Sequence, residues 1–306
     1  MKIGDVIRER GSSLSFEFFP PKDDVSEARL LQNITKLEPF GPTFISVTYG
    51  AGGGTLKNTQ HIVLGIKRET SLTVMPHLTC VDQNKDELNK ILEDYRVKDI
   101  ENILALRGDP PRGTEKFIPP KNGFCYAIDL VKLAASVGGY SIGVAVYPEG
   151  HIESPSLEMD MHYTKQKVDA GADFAITQMF FENHFFYEFL DRAEKAGIRI
   201  PIIPGIMPVT DINRIEKFSQ ICGVTLPSHI VKRFEKAINL TEEKKRIGIE
   251  LATEQCADLL QKGVHYFHFY TLNKIDAVSQ IINNLDLELL GLNRTDGGTL
   301  TKDKAR

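Results

Sequence analysis

Several sequence features that mark whole classes of protein are missing from this chain. Its four cysteines, Cys80, Cys125, Cys222 and Cys256, form no C-x-x-C pair and show no spacing typical of a zinc site. Scattered single cysteines in a large domain are typical of reduced thiols, so we expect a cytoplasmic protein. We also predict that the chain binds no metal.

Long apolar runs and excess charge of one sign are also absent. The 37 Lys and Arg against 41 Asp and Glu give a formal net charge of −4, without a basic run. This balance argues against a nucleic-acid binder and against attraction to an anionic membrane. No apolar stretch approaches the ~20 residues that span a bilayer. No apolar segment follows the charges of the N-terminus, so we predict no signal peptide.

Eight short β-type runs, separated by stretches of helical periodicity, recur along the 306 residues. They are Leu14–Phe19, Phe44–Tyr49, Leu72–Thr79, Asn102–Gly108, Ser141–Tyr147, Phe174–Met179, Ile200–Ile206 and Tyr266–Thr271. Strands that alternate with helices indicate a parallel sheet. Eight such units predict an α/β fold, a single-domain (β/α)8 TIM barrel, although an open doubly wound sheet also fits the pattern. We place the barrel at residues 1–292 and predict a polar, disordered tail at residues 293–306.

The longest gap between runs, after the seventh, predicts two helical segments. These are Asp211–Ile221 and Ser228–Lys262, with Asp211 and Ser228 as helix starts. Polar and aromatic residues follow the apolar runs instead of interrupting them. In order they are Glu17, Tyr49, His77, Asp109, Tyr147, Gln178, Pro204-Gly205 and Tyr270. Because barrel active sites form at the carboxyl ends of the strands, these residues should converge on one mouth, which indicates an enzyme.

Glu17 is the acid of the first run, within Ser15–Phe19. Strand alternation sends Phe16 and Phe18 to the helices and Glu17 into the barrel. A carboxylate among phenylalanines is costly to ionise, so we predict a raised pKa and a role as general acid. The alternative is a structural carboxylate paired with a buried Arg or Lys.

Other candidate residues carry weaker signals. Gly108 permits close approach of a ligand, and Asp109 either accepts hydrogen bonds from a heterocycle or starts a turn. His77 and His151 are by residue type more often structural than ligating. His265 and His268 lie three apart on a strand, therefore on opposite faces, and do not form a metal pair. The Gly-rich loop at residues 50–55 only partly meets a phosphate-binding fingerprint, and a flexible loop is the favoured interpretation.

The strand-end motifs together resemble the methylenetetrahydrofolate reductase family over residues 12–290. They are Ser15-Phe16-Glu17-Phe18-Phe19-Pro20-Pro21-Lys22, Ser46-Val47-Thr48-Tyr49-Gly50-Ala51, Pro76-His77-Leu78-Thr79-Cys80, Ala105-Leu106-Arg107-Gly108-Asp109, Tyr147-Pro148-Glu149 with His151, Ala175-Ile176-Thr177-Gln178-Met179-Phe180-Phe181, Ile203-Pro204-Gly205-Ile206-Met207-Pro208 and Phe267-His268-Phe269-Tyr270-Thr271-Leu272-Asn273. Eight motifs in order, each at a strand end, carry the resemblance.

The resemblance implies a (β/α)8 barrel that holds FAD at its mouth. It implies that Glu17 protonates the folate and that Asp109 lies beside flavin and pterin. The implied cofactor contacts are Thr48, Tyr49, His77, Arg107, Gly108, Asp109, Tyr126, Ala127, Tyr147, His151, Asp160 and Lys167. The implied substrate contacts are Glu17, Asp109, Gln178, Phe218, Tyr270 and Lys274.

By the same resemblance, NADH or NADPH reduces the flavin, and the reduced flavin then converts methylenetetrahydrofolate to methyltetrahydrofolate for methionine synthesis. We also expect a homo-oligomer. Two positions depart from the family pattern: Lys274 replaces an Arg, and Arg214 replaces a Gln. Lys lacks the guanidinium fork that would hold a folate carboxylate with two hydrogen bonds. The resemblance implies that both positions lie near the folate, so both departures concern how the folate tail is held. A related flavin barrel such as a proline dehydrogenase, a non-catalytic flavoprotein and a flavin-free reductase are the alternatives.

Overall fold

The computed structural model describes residues 1–49, 56–109, 117–235, 237 and 241–285, and the backbone of four residues near the C-terminus. Nine parallel strands form one sheet in the order β7-β6-β5-β4-β3-β2-β1-β9-β8. The strands are β1 Ser13–Phe18, β2 Phe44–Val47, β3 Val74–Thr79, β4 Asn102–Leu106, β5 Ser141–Val146, β6 Phe174–Thr177, β7 Ile202–Ile203, β8 Gly205–Ile206 and β9 Tyr266–Tyr270.

The two ends of this strand order belong to one segment of chain. β7 pairs with β6, and β8 pairs with β9, while only Pro204 separates β7 from β8. Proline has no backbone N–H to give to a ladder, which divides the seventh predicted strand in two. Its carbonyl still accepts a hydrogen bond from His268 N at 3.0 Å. The sheet therefore closes on itself, so the predicted (β/α)8 barrel is confirmed and the open sheet is excluded.

Helices connect the strands on the outside of the barrel. They are α1 Ile3–Arg10, α2 Asp24–Leu37, α3 Leu56–Glu69, α4 Lys85–Val97, α5 Ala127–Val137, α6 Leu157–Asp169, α7 Asn183–Lys195, α8 Ile212–Cys222, α9 Ser228–Glu235, α10 Thr241–Gln261 and α11 Asp276–Asn284. Asp211 caps α8 by accepting a hydrogen bond from Arg214 N, which confirms that predicted start.

The prediction of one helical segment over Ser228–Lys262 is wrong, because α9 ends at Glu235 and α10 begins at Thr241. An unbroken helix of that length would extend about 50 Å. The break lets the apolar faces of both helices return to one core cluster, which contains Ile230 and Phe234 of α9 and Ile247 of α10. Burial of two faces thus outweighs continuation of one helix.

Helix α1 covers the amino-terminal end of the barrel. Ile3 and Ile7 are fully buried in a cluster with side chains from inside the barrel, among them Phe44 and Phe174. The Asn102 side chain accepts a hydrogen bond from Ile3 N at 2.8 Å. This end is closed by apolar packing, which leaves the carboxyl ends of the strands for a site.

The C-terminal prediction falls mostly outside the described residues. The backbone of Asn293–Arg294 pairs antiparallel with Leu300–Thr301, and the rest of residues 286–306 is not described. The Gly-rich loop at residues 50–55 also lies outside the described residues. Within the described part of the chain, no helix combines the length and the apolar character needed to cross a bilayer.

Candidate active site

Glu17 lies at the carboxyl end of β1, between two imidazoles. Phe16 and Phe18 pack in the core between sheet and helices, while Glu17 points into the barrel and is 8% exposed. Its Oε2 lies 3.4 Å from His77 Nε2 and 3.4 Å from His268 Nε2. The predicted direction of Glu17 is confirmed. Its described ionic partners are histidines, in place of the buried Arg or Lys of the structural alternative.

Ser15 fixes the tautomer of His268. The Ser15 hydroxyl donates to Phe267 O at 3.1 Å, so its oxygen accepts from His268 Nδ1 at 2.8 Å. In the neutral ring, Nε2 then carries a lone pair that faces Glu17 Oε2. This nitrogen lies 3.4 Å from Glu17 Oε2.

The pKa of Glu17 differs from the raised value that its phenylalanine neighbours in β1 predict. Burial raises this pKa, but the charge of His77 and the hydrogen bond and charge of His268 together lower it by more, so it lies below its usual value. The prediction of a raised pKa is thus wrong, because it counted only the phenylalanines. Burial lowers the pKa of His77 to about 4. Its Nε2, 3.4 Å from Glu17 Oε2, forms no hydrogen bond within the described part of the chain.

Tyr270 and Gln178 face the same interior from β9 and the end of β6. The Tyr270 hydroxyl donates to Thr177 O at 2.6 Å, and burial raises its pKa, as does the charge of Glu17. Gln178 Oε1 accepts from Met179 N at 2.9 Å, which leaves its amide nitrogen for a ligand. A Cβ on Gly205 would lie 2.6 Å from the Tyr270 hydroxyl, so glycine is required beside this ring.

The segment Arg107-Gly108-Asp109 follows β4 at the mouth. Gly108 has φ of +88°, and a Cβ there would lie 2.5 Å from Val81 Cγ2. The close approach that glycine permits is therefore to the protein itself. Asp109 is exposed. Burial raises the pKa of Cys222 at the end of α8, and the charge of Asp109 raises it further, so the end of α8 lies near Asp109. The seven residues after Asp109 lie outside the described part of the chain.

Arg107 is engaged by Glu153 from the loop after β5. Both of its terminal nitrogens contact the carboxylate, one of them at 2.8 Å, and its guanidinium lies over the Phe117 ring. The hydrogen bond to Glu153 raises the pKa of Arg107. Glu153 is half exposed, so this paired arginine can exchange one anionic partner for another.

The loop after β5 is folded around Asp160. This buried carboxylate accepts hydrogen bonds from His151 N at 3.2 Å and Ser154 Oγ at 2.9 Å. The His151 ring stands edge-on to Tyr147, with centroids 4.6 Å apart. Lys167 Nζ donates to Ala145 O at 2.6 Å, and burial lowers the pKa of Lys167 to about 8. Asp160 and Lys167 thus stabilise the loop from its buried side. Tyr147 and His151 form its inner surface.

Thr48, Tyr49, Tyr126 and Ala127 complete the predicted cofactor set. Thr48 Oγ1 is buried and forms no hydrogen bond among the residues that the structure describes, and burial raises the pKa of Tyr49. Tyr126, at the N-cap of α5 before Ala127, is 65% exposed. These residues follow β2 or begin the helix after β4, so they lie on the same side of the mouth as Arg107.

The two departures from the family pattern lie at the outer edge. The Arg214 guanidinium covers the Phe218 ring of α8, 5.2 Å from its centroid. Lys274 is exposed in the turn after β9, where its N–H donates to Thr271 O. Neither contacts Glu17.

Sequence reasoning did not identify Ser15 and His268 as parts of the site. His268 lies beside Ser15 and near Glu17 only because β1 pairs with β9 in the register Ser15↔His268. Closure of a barrel makes the first and last strands neighbours, and inward-facing polar residues on both were the available signal. Glu153, the partner of Arg107, had no signal in the sequence.

Comparison with known proteins gives the family. A sequence model described as Methylenetetrahydrofolate reductase matches residues 2–286. The chain is 42% identical to "5,10-methylenetetrahydrofolate reductase" of Salmonella typhimurium strain LT2 over 273 residues, 89% of this chain and 90% of that protein. The Escherichia coli K12 protein of the same name gives the same identity and coverage.

A plant relative and a solved structure extend the comparison. The chain is 37% identical to "Methylenetetrahydrofolate reductase (NADH) 1" of Arabidopsis thaliana, over 94% of this chain and 50% of that protein. A Clostridium thermocellum protein whose structure is described as binding two copies of 5-methyl-5,6,7,8-tetrahydrofolic acid superimposes with a TM-score of 0.61 at 13% identity, over 94% of this chain and 99% of that one. That likeness concerns the fold alone. On the match over nearly its whole length, the chain belongs to the methylenetetrahydrofolate reductase family.

Proposed function

We propose that this protein reduces methylenetetrahydrofolate to methyltetrahydrofolate with NADH or NADPH as donor and FAD as bound carrier. The observation that carries the proposal is the buried carboxyl group of Glu17 at the bottom of the barrel mouth, with its Oε2 3.4 Å from both His77 Nε2 and His268 Nε2. Ring opening of the folate requires a proton on N10, and this carboxyl group can deliver it. A non-catalytic flavoprotein would have no use for it.

The residues at the mouth fit FAD. Thr48 Oγ1 and His77 Nε2 are buried polar atoms that form no hydrogen bond among the described residues, as expected at a site that accepts a ligand's polar atoms. Arg107 suits a phosphate through its guanidinium fork, and the exposed side chains of Ile152 and Leu157 suit a flat ring. FAD would supply the hydride-carrying ring that no side chain provides.

The protein groups would then bind, orient and protonate. Gln178 offers an amide nitrogen, and Asp109 a carboxylate, to the donors and acceptors of a pterin or nicotinamide. Phe218 would offer its ring to either substrate once Arg214 moves aside. Glu17 would take up a proton as folate binds and pass it to N10, while Tyr270 stays tied to Thr177 O and keeps the interior wall in place.

FAD uptake is the first test. We expect the protein to bind FAD, to lose flavin absorbance when NADH is added, and to recover it when methylenetetrahydrofolate follows. Arg107→Gln should weaken FAD binding about 10- to 100-fold, because a hydrogen bond to a charged group contributes about 1.5–3 kcal/mol. Fluorescence titration of the apoprotein measures the affinity. A protein that takes up no flavin, or whose flavin NADH does not bleach, contradicts the proposed function.

Lys274→Arg tests the placement of the folate tail. We expect unchanged reduction by NADH and a lower KM for folate, by about three- to tenfold, because Arg adds a second hydrogen bond to a carboxylate. Lys98→Arg, at a surface pair with Asp94 on the C-terminal side of α4, is the matched control and should change neither value. A change in the NADH step would show that Lys274 does not serve the folate tail.

A further inference from the structure

The ladder between β1 and β9 ends at Glu17, the proposed acid. Its last pair is Glu17 with Tyr270, where β9 ends, while β1 continues to Phe18, which still pairs with Val47 of β2. A residue on the last rung of a ladder is free to fray unless other bonds hold it. Displacement of a reacting group by about 1 Å can cost about 100-fold in rate. On the side of β9, Glu17 therefore needs support beyond the ladder.

Side chains of the turn after β9 provide that support. The Thr271 hydroxyl donates to Glu17 O at 2.6 Å, and Thr271 N donates to the same oxygen at 3.3 Å. Asn273 Oδ1 accepts from Phe19 N at 2.8 Å, and Asn273 Nδ2 donates to Phe19 O at 3.0 Å. The amide of Asn273 thus imitates the next rung of the ladder with both of its groups. Asn273 N also donates to Thr271 Oγ1 at 3.1 Å, which joins the two side chains.

The backbone of this turn adopts a conformation that costs free energy. Leu272 has φ of +49° and Asn273 has φ of +61°, two successive residues in the left-handed region. Leucine is disfavoured there, and a turn that served connection alone would place glycine at these positions. The conformation is maintained by the hydrogen bonds that reach β1, whereas Asn33 Nδ2 adds only a long hydrogen bond of 3.3 Å to Asn273 O. Strain that persists at a site is often tied to its function.

We propose that Thr271 and Asn273 are positioning residues that fix the backbone of Glu17–Phe19, and so set where the Glu17 carboxyl group meets the folate. Their hydrogen bonds to β1 reach main-chain atoms of Glu17 and Phe19 and not the carboxyl group. Their effect is carried by the main chain on each side of Glu17. The inference rests on the proposed function, because it assigns the purpose of the turn to the folate step.

Asn273→Gly isolates the hydrogen bonds. Glycine accepts the left-handed backbone, so the turn keeps its path while Phe19 loses both of its partners. We expect the maximal rate of folate reduction by the pre-reduced enzyme to fall about 10- to 100-fold. The rate of reduction by NADH, and the KM for folate, should stay within about twofold. Amide exchange at Phe19 should become at least tenfold faster, measured by mass spectrometry or NMR of the apoprotein.

Two further variants make the test specific. Asn33→Ala removes a hydrogen bond from the same turn without touching β1, and it should leave both half-reactions and Phe19 exchange unchanged. Asn273→Asp keeps an acceptor for Phe19 N but sets a carboxylate against Phe19 O, and it should give an intermediate loss. This second substitution also serves if the glycine variant does not fold.

The outcomes separate the two proposals. A glycine variant that melts at a lower temperature yet reduces folate at the wild-type rate overturns the positioning role. A rise in KM alone also overturns it, since that result assigns the turn to the folate tail through Lys274. If the wild-type protein binds FAD but does not reduce folate, the proposed function fails. Unchanged Phe19 exchange in the glycine variant contradicts the positioning role on its own.

Discussion

Replacement of Glu17 by Gln is expected to separate the two half-reactions of the proposed function by at least 100-fold. Transfer of a hydride from NADH requires no proton from this side chain, so that step should continue at a rate near that of the wild-type protein. Folate reduction requires a proton on N10, which Gln cannot give, and general acid catalysis is worth about 10²–10⁴-fold. Stopped-flow absorbance of each half-reaction measures both rates.

A melting curve provides the control for this substitution. Gln has nearly the shape of Glu and can still donate to the lone pair on His268 Nε2, so the fold should be retained. If Glu17 served only as a buried ionic partner, its loss would cost about 3–5 kcal/mol of stability and slow both steps alike. Equal slowing of the two half-reactions, or a large fall in melting temperature, would therefore remove Glu17 from the proposed mechanism.

Gly248→Ala is expected to cause the largest loss of stability of the substitutions considered. Gly248 lies within α10, where a Cβ would overlap the carbonyl group of Val209 in the segment after β8. The obstructing atoms are backbone, so the segment or the whole helix must move. Overpacking a close contact costs about 1–3 kcal/mol and sometimes more, and we expect about 3 kcal/mol in a denaturant titration.

Gly65→Ala is the matched comparison. Gly65 also lies within a helix, α3, but a Cβ there would meet no atom within 4 Å. Alanine in a helix interior is favoured over glycine by about 0.5–1 kcal/mol, so this variant should be as stable as the wild type or more so. Equal destabilisation by both substitutions would mean that helix propensity, and not the contact with Val209, determines the result.

The sequence predicted the barrel because its signals are local. Alternation within β1 was enough to place Phe16 and Phe18 outside and Glu17 inside, and the order of strands and helices was enough to predict a parallel sheet. Asp211 was recognised as a helix start from its own residue type. Each of these inferences needs only neighbours within a few positions along the chain.

The environment of Glu17 could not be predicted in the same way. His268 stands next to it only in one register of β1 against β9, and a shift of one residue would turn His268 outward. The sign of the pKa shift depends on that register, so the sequence prediction failed there. The break between α9 and α10 was missed for a related reason, since it depends on the return of both helices to a shared core cluster.

The closed floor of the barrel has a kinetic consequence. With α1 packed across the amino-terminal end through Ile3 and Ile7, every molecule that reaches Glu17 enters and leaves by the opposite side. A spent nucleotide would have to diffuse out before a folate could diffuse in along the same route. Each substrate in excess should then obstruct the other, and steady-state assays should show mutual competitive inhibition at high concentrations of either one.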